Sequence, residues 1–309
     1  MAWHPSANRV ALKARAELYA YIRQFFTRHY ALEVETPLLG LSALAEESQQ
    51  VLMAGDFYLQ PVALPYLLRL AAAGSGDVYQ ISKVFGRIRQ SEHRQMESTL
   101  LEWCRQEADQ WALMEETADL FERLLGCHHV EHKTCLSVFE EYLGFDPHRA
   151  TLAQLKFEAR QHLKVEMPRG SRNDWFELLM EYLVEPLLGQ TVPVFVYDYP
   201  ATDLLATRTM NEQGREVAER FQVFYRGKNV ATGFSIQTDA EILKTRLQAS
   251  NVNRKKKGLR ALPLDGDLLQ AFDHGLQSCG YVAVNLDILL MLQLKVSQQQ
   301  DVVSFLVPI

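Results

Sequence analysis

The chain has 309 residues, of which 48% are hydrophobic, so it is long enough to bury a substantial core. Its formal net charge of −6 disfavours a dedicated nucleic-acid-binding protein, because such proteins usually carry a basic surface. Four scattered cysteines disfavour a disulfide scaffold, and no apolar run reaches the roughly 18 residues that span a bilayer. The N-terminus lacks a signal-peptide pattern, so we expect a cytoplasmic protein with no membrane association.

Hydrophobic periodicity and turn residues predict helices and strands in chain order. Apolar residues at helical spacing predict a first helix over residues 9–29, with Ser6 or Asn8 as its cap, and a short strand over 31–37 follows. The later strands come mostly in adjacent pairs, which favours an α+β fold: an antiparallel sheet flanked by helices. The other predicted helices lie at 61–73, 107–125, 152–163, 173–188, 238–258 and 286–294, and the other predicted strands at 78–85, 99–104, 192–199, 220–227, 230–237 and 281–284.

A polar segment from Gly86 to Ser98 joins the second and third of these strands. A loop of that length inside a compact domain is usually functional. Arg87 and Arg89 make it basic. Two interpretations stay open, a solvated charged loop and a loop that contacts phosphate.

A basic run at residues 254–257 ends the predicted helix over 238–258. It fits a solvated helix end, or a site for phosphate groups.

Two cysteines and three histidines crowd into residues 127–135, with Cys127, His132 and Cys135 among them. This pattern fits a metal site, or a helix end that runs into a loop and a strand. Because no second ligand pair follows at zinc spacing, we expect no metal.

Three segments resemble, in order, the three signature motifs of class II aminoacyl-tRNA synthetases. The first is the long helix with Leu32-Glu-Val-Glu-Thr-Pro37, and the second is Val84-Phe85, the polar loop and Leu101-Glu-Trp103. The third is Val282-Ala-Val-Asn-Leu-Asp-Ile288, which leads into an apolar helix. The order and spacing of all three imply the class II fold.

The resemblance covers about residues 8–305. Within the class, the chain resembles the lysyl-tRNA synthetase-like ligases that modify elongation factor P. It implies one catalytic domain over residues 1–309, with a helical insertion at about 146–190 and no anticodon-binding domain. It also implies dimerisation through the first-motif helix and strand, and ATP binding by the second and third motifs. The family donor is (R)-β-lysine, and the acceptor is a lysine of elongation factor P.

Several charged groups that the resemblance leads us to expect are missing. Adenylation requires cations, from arginines and Mg²⁺, aimed at the phosphates of ATP. Gly86 and Ile288 stand where the family has arginines, and Arg87 and Arg89 are the candidate substitutes. The other ATP-site positions that depart from the family are Ile88, Gln95, Ser98, Asn229 and Asn285, and the positions of the amino-acid pocket are Val62, Leu64, Glu102, Cys104 and Ile236.

The sequence leaves three functions open. The first is a paralogue of the elongation factor P ligases that has lost ATP-dependent amino-acid activation and serves in binding or regulation. The second is an active ligase that uses ATP and Mg²⁺ with lysine, β-lysine or another amino acid. The third is an RNA-binding protein. Expected partners are a second copy, elongation factor P or a true ligase, whereas tRNA is disfavoured by the acidic charge.

Overall fold

The computed structural model describes residues 3–45, 47–86, 96–163 and 170–306. Its helices are α1 (Arg9–Arg28), α2 (Leu64–Ala72), α3 (Gln110–Leu125), α4 (Cys135–Leu143), α5 (Leu152–His162), α6 (Arg172–Leu179), α7 (Ala240–Lys256), α8 (Gly266–Asp273) and α9 (Leu286–Leu294). Its strands are β1 (Leu32–Glu33), β2 (Leu39–Gly40), β3 (Met53–Ala54), β4 (Phe57–Leu59), β5 (Val78–Phe85), β6 (Glu97–Gln106), β7 (Glu131–Thr134), β8 (Val194–Pro200), β9 (Arg208–Met210), β10 (Glu216–Tyr225), β11 (Lys228–Ser235) and β12 (Cys279–Asn285).

A large, mostly antiparallel sheet organises the molecule. Within the described ranges it has nine strands in the order β1-β5-β6-β12-β11-β10-β8-β7, with β9 beside β10. The pairs β1–β5 and β7–β8 are parallel, and the other pairs are antiparallel. Strands β2, β4 and β3 form a separate small sheet. The predicted α+β class, an antiparallel sheet flanked by helices, is confirmed.

One face of the sheet, which we call the back face, packs against α1, α3 and α9. Trp103, Val282 and Phe221 lie in register across the sheet, with Gly233 between the last two. Residues in register point to the same face, so all three side chains share the back face. Gly233 lies between Val282 and Phe221, where a Cβ atom would be 2.4 Å from the Phe221 ring. These residues and the helices form the back cluster, which includes Leu18, Ile22, Phe26, Trp103, Phe121, Phe221, Val282 and Leu289.

The opposite face, which we call the front face, carries α2, α7 and α8. In register across five strands lie Gln80, Glu102, Ala283, Thr232 and Gln222. Beside this row is a second packed group, the front cluster, which includes Leu64, Leu67, Val78, Cys104, Phe234, Ile236, Leu268 and Tyr281. A third cluster, around Phe139, Trp175 and Phe176, joins α4, α5 and α6 to β8.

The predicted elements agree with the structure where periodicity was strong. The bounds of β5 and α9 match the prediction, and α1 begins after Asn8, whose Oδ1 accepts the Ala11 N–H at 2.9 Å. The predicted helix over 173–188 is wrong at its end: α6 stops at Leu179, and a π-helical turn over Met180–Val184 follows. Pro186 lies in the next turn, and proline cannot continue an α-helix.

Other elements were not predicted, or were predicted too long. The strand expected over 31–37 shrinks to β1, which begins after the left-handed Tyr30 at φ 57° and pairs with β5 over two residues. Short strands and helices that the sequence pattern missed are β2, β3, β4, β9, α4 and α8. The four strands among them have only two or three residues each, too few for periodicity to separate them from loops.

Candidate functional site

The hairpin of β5 and β6 carries the second motif segment. Its register runs from Val78 opposite Cys104 to Phe85 opposite Glu97, and the Gly86 N–H then donates to the Met96 carbonyl at 3.0 Å. Ser98 is half-buried opposite Val84. The four remaining loop positions selected from the sequence, Arg87, Ile88, Arg89 and Gln95, lie outside the described residues.

Glu102 is the one acidic residue in the row of Gln80, Glu102, Ala283, Thr232 and Gln222 on the front face, which we call the polar row. Its Oε1 accepts the Ala63 N–H at 2.8 Å and the Tyr281 hydroxyl at 2.5 Å. The carboxyl group is 0% exposed, and this burial raises its pKa to about 7. Burial, and then the nearby Glu102, raise the pKa of the Tyr281 hydroxyl. The retained glutamate is therefore engaged with the N-terminus of α2 and with β12.

The other predicted amino-acid-pocket positions are part of packed core. Leu64, Cys104 and Ile236 are buried in the front cluster, and Val62 packs against it. A hydrogen bond with Cys279, together with burial, raises the pKa of the Cys104 thiol well above its ordinary value. These side chains offer neither charge nor an available polar group to a bound ammonium.

The third motif is held by α9 and the strand before it. Asn285 caps α9, since its Oδ1 accepts the N–H groups of Asp287 at 3.1 Å and Ile288 at 3.0 Å. The Ile288 side chain is half-buried and packs against the back cluster. Asp287 is buried and forms an ion pair with Arg15 of α1 at 2.6 Å. Position 288 thus contributes to packing behind the sheet.

Asn229 lies at the turn between β10 and β11, opposite Phe224. Its backbone N–H donates to Glu185 Oε1 at 2.9 Å, and the residue is half-buried. This contact connects the turn to the chain that follows α6. No charge is available from the Asn229 side chain itself.

Two glutamines of the front face were missed by sequence reasoning. Gln80 and Gln222 are both buried, and the Oε1 atom of each has no hydrogen-bond partner among the described residues. The same holds for Oε2 of Glu102. The alternation of side chains along β5 and β10 could have placed both glutamines on this face, but it could not show which side chains stand beside them.

The basic run that ends α7 divides into two buried and two exposed residues. Arg254 donates to the carbonyl groups of Gln49 at 2.9 Å and Arg260 at 3.1 Å. Lys257 pairs with Asp174 Oδ2 at 2.7 Å and with Glu47 at 3.4 Å. Lys255 and Lys256 are exposed. The predicted solvated helix end is wrong for Arg254 and Lys257, because the loop before β3 and the start of α6 close over them.

The cysteine- and histidine-rich segment runs through β7 into α4. Cys135 is buried in the cluster around Phe139, and His132 stacks on Phe195 with ring centroids 5.3 Å apart. His128 contacts the Glu122 carboxylate at 2.9 Å. Across the residues that the structure describes, no three His, Cys, Asp or Glu side chains are grouped to hold a metal ion.

The first-motif helix and strand present apolar side chains to solvent. Tyr30 is 93% exposed, and Val10 and Leu32 are also exposed. Beside them, Glu33 accepts from Arg23 at 3.0 Å and from the Tyr79 hydroxyl at 3.0 Å, which links β1 to α1 and β5. The described part of the chain contains no helix both long enough and apolar enough to cross a membrane.

Comparison with known proteins identifies the family. The family model named tRNA synthetases class II (D, K and N) matches residues 2–307. The chain belongs to the class II tRNA synthetases. Among the similar members is the elongation factor P–(R)-β-lysine ligase of Pasteurella multocida, which is 34% identical over 319 residues that cover 98% of this chain and 97% of the relative.

Ligases of the same name in two other bacteria show the same degree of similarity. The Pectobacterium atrosepticum protein is 34% identical, with 98% of this chain and 97% of the relative covered. The Vibrio vulnificus protein is 35% identical, with 99% and 98% covered. This class II synthetase chain therefore aligns with the ligases along nearly the full length of each.

At the positions where the family resemblance predicts the ATP site, the described residues do not fit a Mg²⁺–ATP complex. Arginines commonly bind phosphates in proteins, and carboxylates commonly bind Mg²⁺. Glu102, the carboxyl of the polar row, is fully buried and hydrogen-bonded within the protein. The positions that the family resemblance assigns to the ATP site, where the structure describes them, carry uncharged side chains: Gly86, Ser98, Asn229, Asn285 and Ile288.

Proposed function

We propose that this chain is a paralogue of the elongation factor P–(R)-β-lysine ligases that does not activate lysine or β-lysine with ATP and instead binds or regulates a protein. The observation that carries the proposal is the engagement of Glu102. A carboxyl that accepts two internal hydrogen bonds and keeps its proton up to about pH 7 is a poor partner for a substrate ammonium.

The packing around Glu102 supports the same conclusion. Leu64, Cys104 and Ile236 fill the positions where the family resemblance leads us to expect the amino-acid pocket. A lysine ammonium placed against them would lose its hydration without gaining a counter-charge, which is strongly unfavourable. The uncharged ATP-site positions remove the cations that stabilise charge on the α-phosphate.

Amino-acid-dependent exchange of pyrophosphate into ATP tests the proposal directly. The protein is assayed with lysine, (R)-β-lysine and a panel of other amino acids in the presence of Mg²⁺, and the Pasteurella multocida relative serves as a positive control. We expect no exchange above the background without amino acid. Exchange with any amino acid would overturn the proposal.

The second candidate is an active ligase, and the alignment over 97–98% of the relatives' lengths favours it. In that case Arg87 and Arg89 replace the missing cations. Exchange would then be present and would be lost in Arg87→Ala or Arg89→Ala. A control variant, Arg28→Ala, changes an exposed arginine at the end of α1 and should leave exchange unchanged.

For partners, we propose elongation factor P, because the relatives' names give it as their acceptor. A second copy bound through α1 and β1 is also proposed, supported by the exposed Val10, Tyr30 and Leu32. Sedimentation of the protein alone and with elongation factor P tests both. The RNA-binding hypothesis is weakened, since Arg254 and Lys257 are occupied by internal contacts and only Lys255 and Lys256 of that run are exposed.

A further inference from the structure

A groove of about 540 Å³ lies behind the sheet, among the ends of four elements. It is formed by α1, the C-terminus of α3, the turn between β10 and β11, and the C-terminus of α9. Gln293 of α9 donates to the Leu124 carbonyl of α3 at 2.7 Å, which fixes two of its walls. The groove is on the back face and uses α1 and α9, the helices of the first and third motif segments, whereas Glu102 and its neighbours lie on the front face.

The floor of the groove is apolar and aromatic. Leu18 and Tyr225 are buried members of the back cluster, and Tyr21 and Leu292 are half-buried against it. The uncharged polar side chains in the lining are those of Tyr21, Tyr225 and Gln293. An apolar side chain of a ligand could therefore be covered here with little loss of hydrogen bonding.

The rim of the groove is cationic. Arg123, Arg226 and Lys295 are exposed on it, and Glu17 is the acidic residue in its lining. Glu17 is paired with Lys13 at 3.5 Å, and Arg123 is paired with Asp119 at 3.8 Å. Within the described ranges Arg226 and Lys295 have no carboxylate partner; Arg226 lies over the Tyr225 ring at 5.1 Å. The protein as a whole is acidic, so this rim is a local reversal of charge.

Both unpaired cations take the left-handed backbone conformation. Arg226 has φ 50° and Lys295 has φ 55°. Glycine and asparagine occupy such positions at lowest cost, and residues held there often serve a function. A lysine at the C-terminus of α9 also complements the helix dipole, and Arg226 and Gly227 form the two-residue turn between β10 and β11, in which positive φ at both residues is the usual type I′ geometry.

From these features we infer that the back-face groove binds an acidic peptide segment of a partner protein, with carboxylates on the rim and an apolar side chain on the floor. Because the rim is cationic, we expect the ligand to carry negative charge. The exposed rim favours an extended chain over a small molecule, because small-molecule pockets enclose most of the ligand surface.

Fluorescence anisotropy with a labelled Glu-Glu-Leu-Glu-Glu-Leu peptide tests the inference, and the peptide with glutamine in place of glutamate is the ligand control. The groove variant is Arg226→Gln with Lys295→Gln, which removes both charges and keeps an unbranched polar side chain at each position. The matched control is Lys255→Gln with Lys256→Gln, which removes two exposed charges elsewhere.

We expect salt-sensitive binding of the acidic peptide, weakened about fivefold by the groove variant and unchanged by the matched control. Equal effects of the two variants, equal binding of the glutamine peptide, or no binding would overturn the inference. Displacement of the peptide by millimolar inorganic phosphate would assign the groove to a free anion. A change of oligomeric state in the groove variant would assign it to a second copy, and either result would also overturn it.

Discussion

Arg15 and Asp287 form an ion pair at 2.6 Å that joins the first and third motif segments behind the sheet. The other carboxylate oxygen of Asp287 accepts the Thr99 N–H at 2.9 Å, which adds the second motif segment. Arg15 also donates to the Val302 carbonyl at 2.8 Å. One buried carboxylate therefore connects all three motifs, and in this chain its contacts are structural.

Asp287→Asn should destabilise the protein by about 3 kcal/mol, because it leaves the mostly buried Arg15 guanidinium without a counter-charge. Urea unfolding measures the change. Glu17→Gln is the control: it disrupts the exposed pair with Lys13 and should change stability by less than about 0.5 kcal/mol. Similar effects of the two substitutions would show that the Arg15–Asp287 pair contributes no more than a surface pair.

Glu102 should make stability fall as pH rises. Burial raises its pKa to about 7 from an ordinary 4.5, so between these values the folded protein holds a proton that the unfolded chain has lost. The contribution of Glu102 to the free energy of unfolding is fully present below about pH 4.5 and is lost by about pH 7. The free energy of unfolding therefore falls by about 3 kcal/mol over this range.

Glu102→Gln should remove this dependence, because glutamine does not titrate. Unfolding free energies of the variant and the unmodified protein, compared between about pH 5 and pH 8, measure the difference. Glu97→Gln alters a half-exposed carboxyl on the same strand and should leave the pH dependence nearly unchanged. A parallel pH profile for Glu102→Gln and the unmodified protein would contradict the prediction.

Lys257 should contribute more to stability than its neighbour Lys256. The Lys257 side chain is 5% exposed and bridges Asp174 and Glu47, whereas Lys256 is exposed. Lys257→Met should cost about 2–3 kcal/mol, since it leaves the buried Asp174 carboxylate with one fewer cation. Lys256→Met should cost less than about 0.5 kcal/mol. Thermal or urea unfolding compares them, and equal losses would mean that the Lys257 contacts add nothing.

Two glycines should respond differently to alanine. At Gly233 the added Cβ would be 2.4 Å from the Phe221 ring in the back cluster, so Gly233→Ala should destabilise by about 1–3 kcal/mol. At Gly86 the nearest atom is the amide end of the Gln49 side chain at 2.8 Å, which can rotate away. Gly86→Ala should therefore be tolerated within about 1 kcal/mol. A larger loss at Gly86 than at Gly233 would contradict this contrast.

Local patterns predicted the long elements because those elements bury one regular face, which the spacing of apolar residues records. The strand over 78–85 and the helix over 286–294 are examples. The burial of Arg254 and Lys257 could not be predicted in the same way. Their partners, Gln49, Glu47 and Asp174, are distant in the chain and meet the end of α7 only after folding.

The same distinction between local residue patterns and tertiary contacts applies to the candidate site. Residue identities alone showed that Gly86 and Ile288 cannot supply a cation, since a side chain without charge stays uncharged in any fold. Whether Glu102 was available to a ligand depended on which groups surround it. In the folded chain these groups are the Ala63 N–H, at the start of α2, and the Tyr281 hydroxyl.

The amino-acid sequence by itself determined the class II motif order, the alternation that gives the sheet two distinct faces, and the absence of charge at positions such as Gly86 and Ile288, where the family resemblance predicts arginines. Only the tertiary structure decided what occupies the front face and what lies behind it. There, packing from distant segments closes Leu64, Cys104 and Ile236 into a core and leaves Arg226 and Lys295 around an open groove. Periodicity records how one segment lies relative to the core, whereas a site depends on which segments the fold brings together.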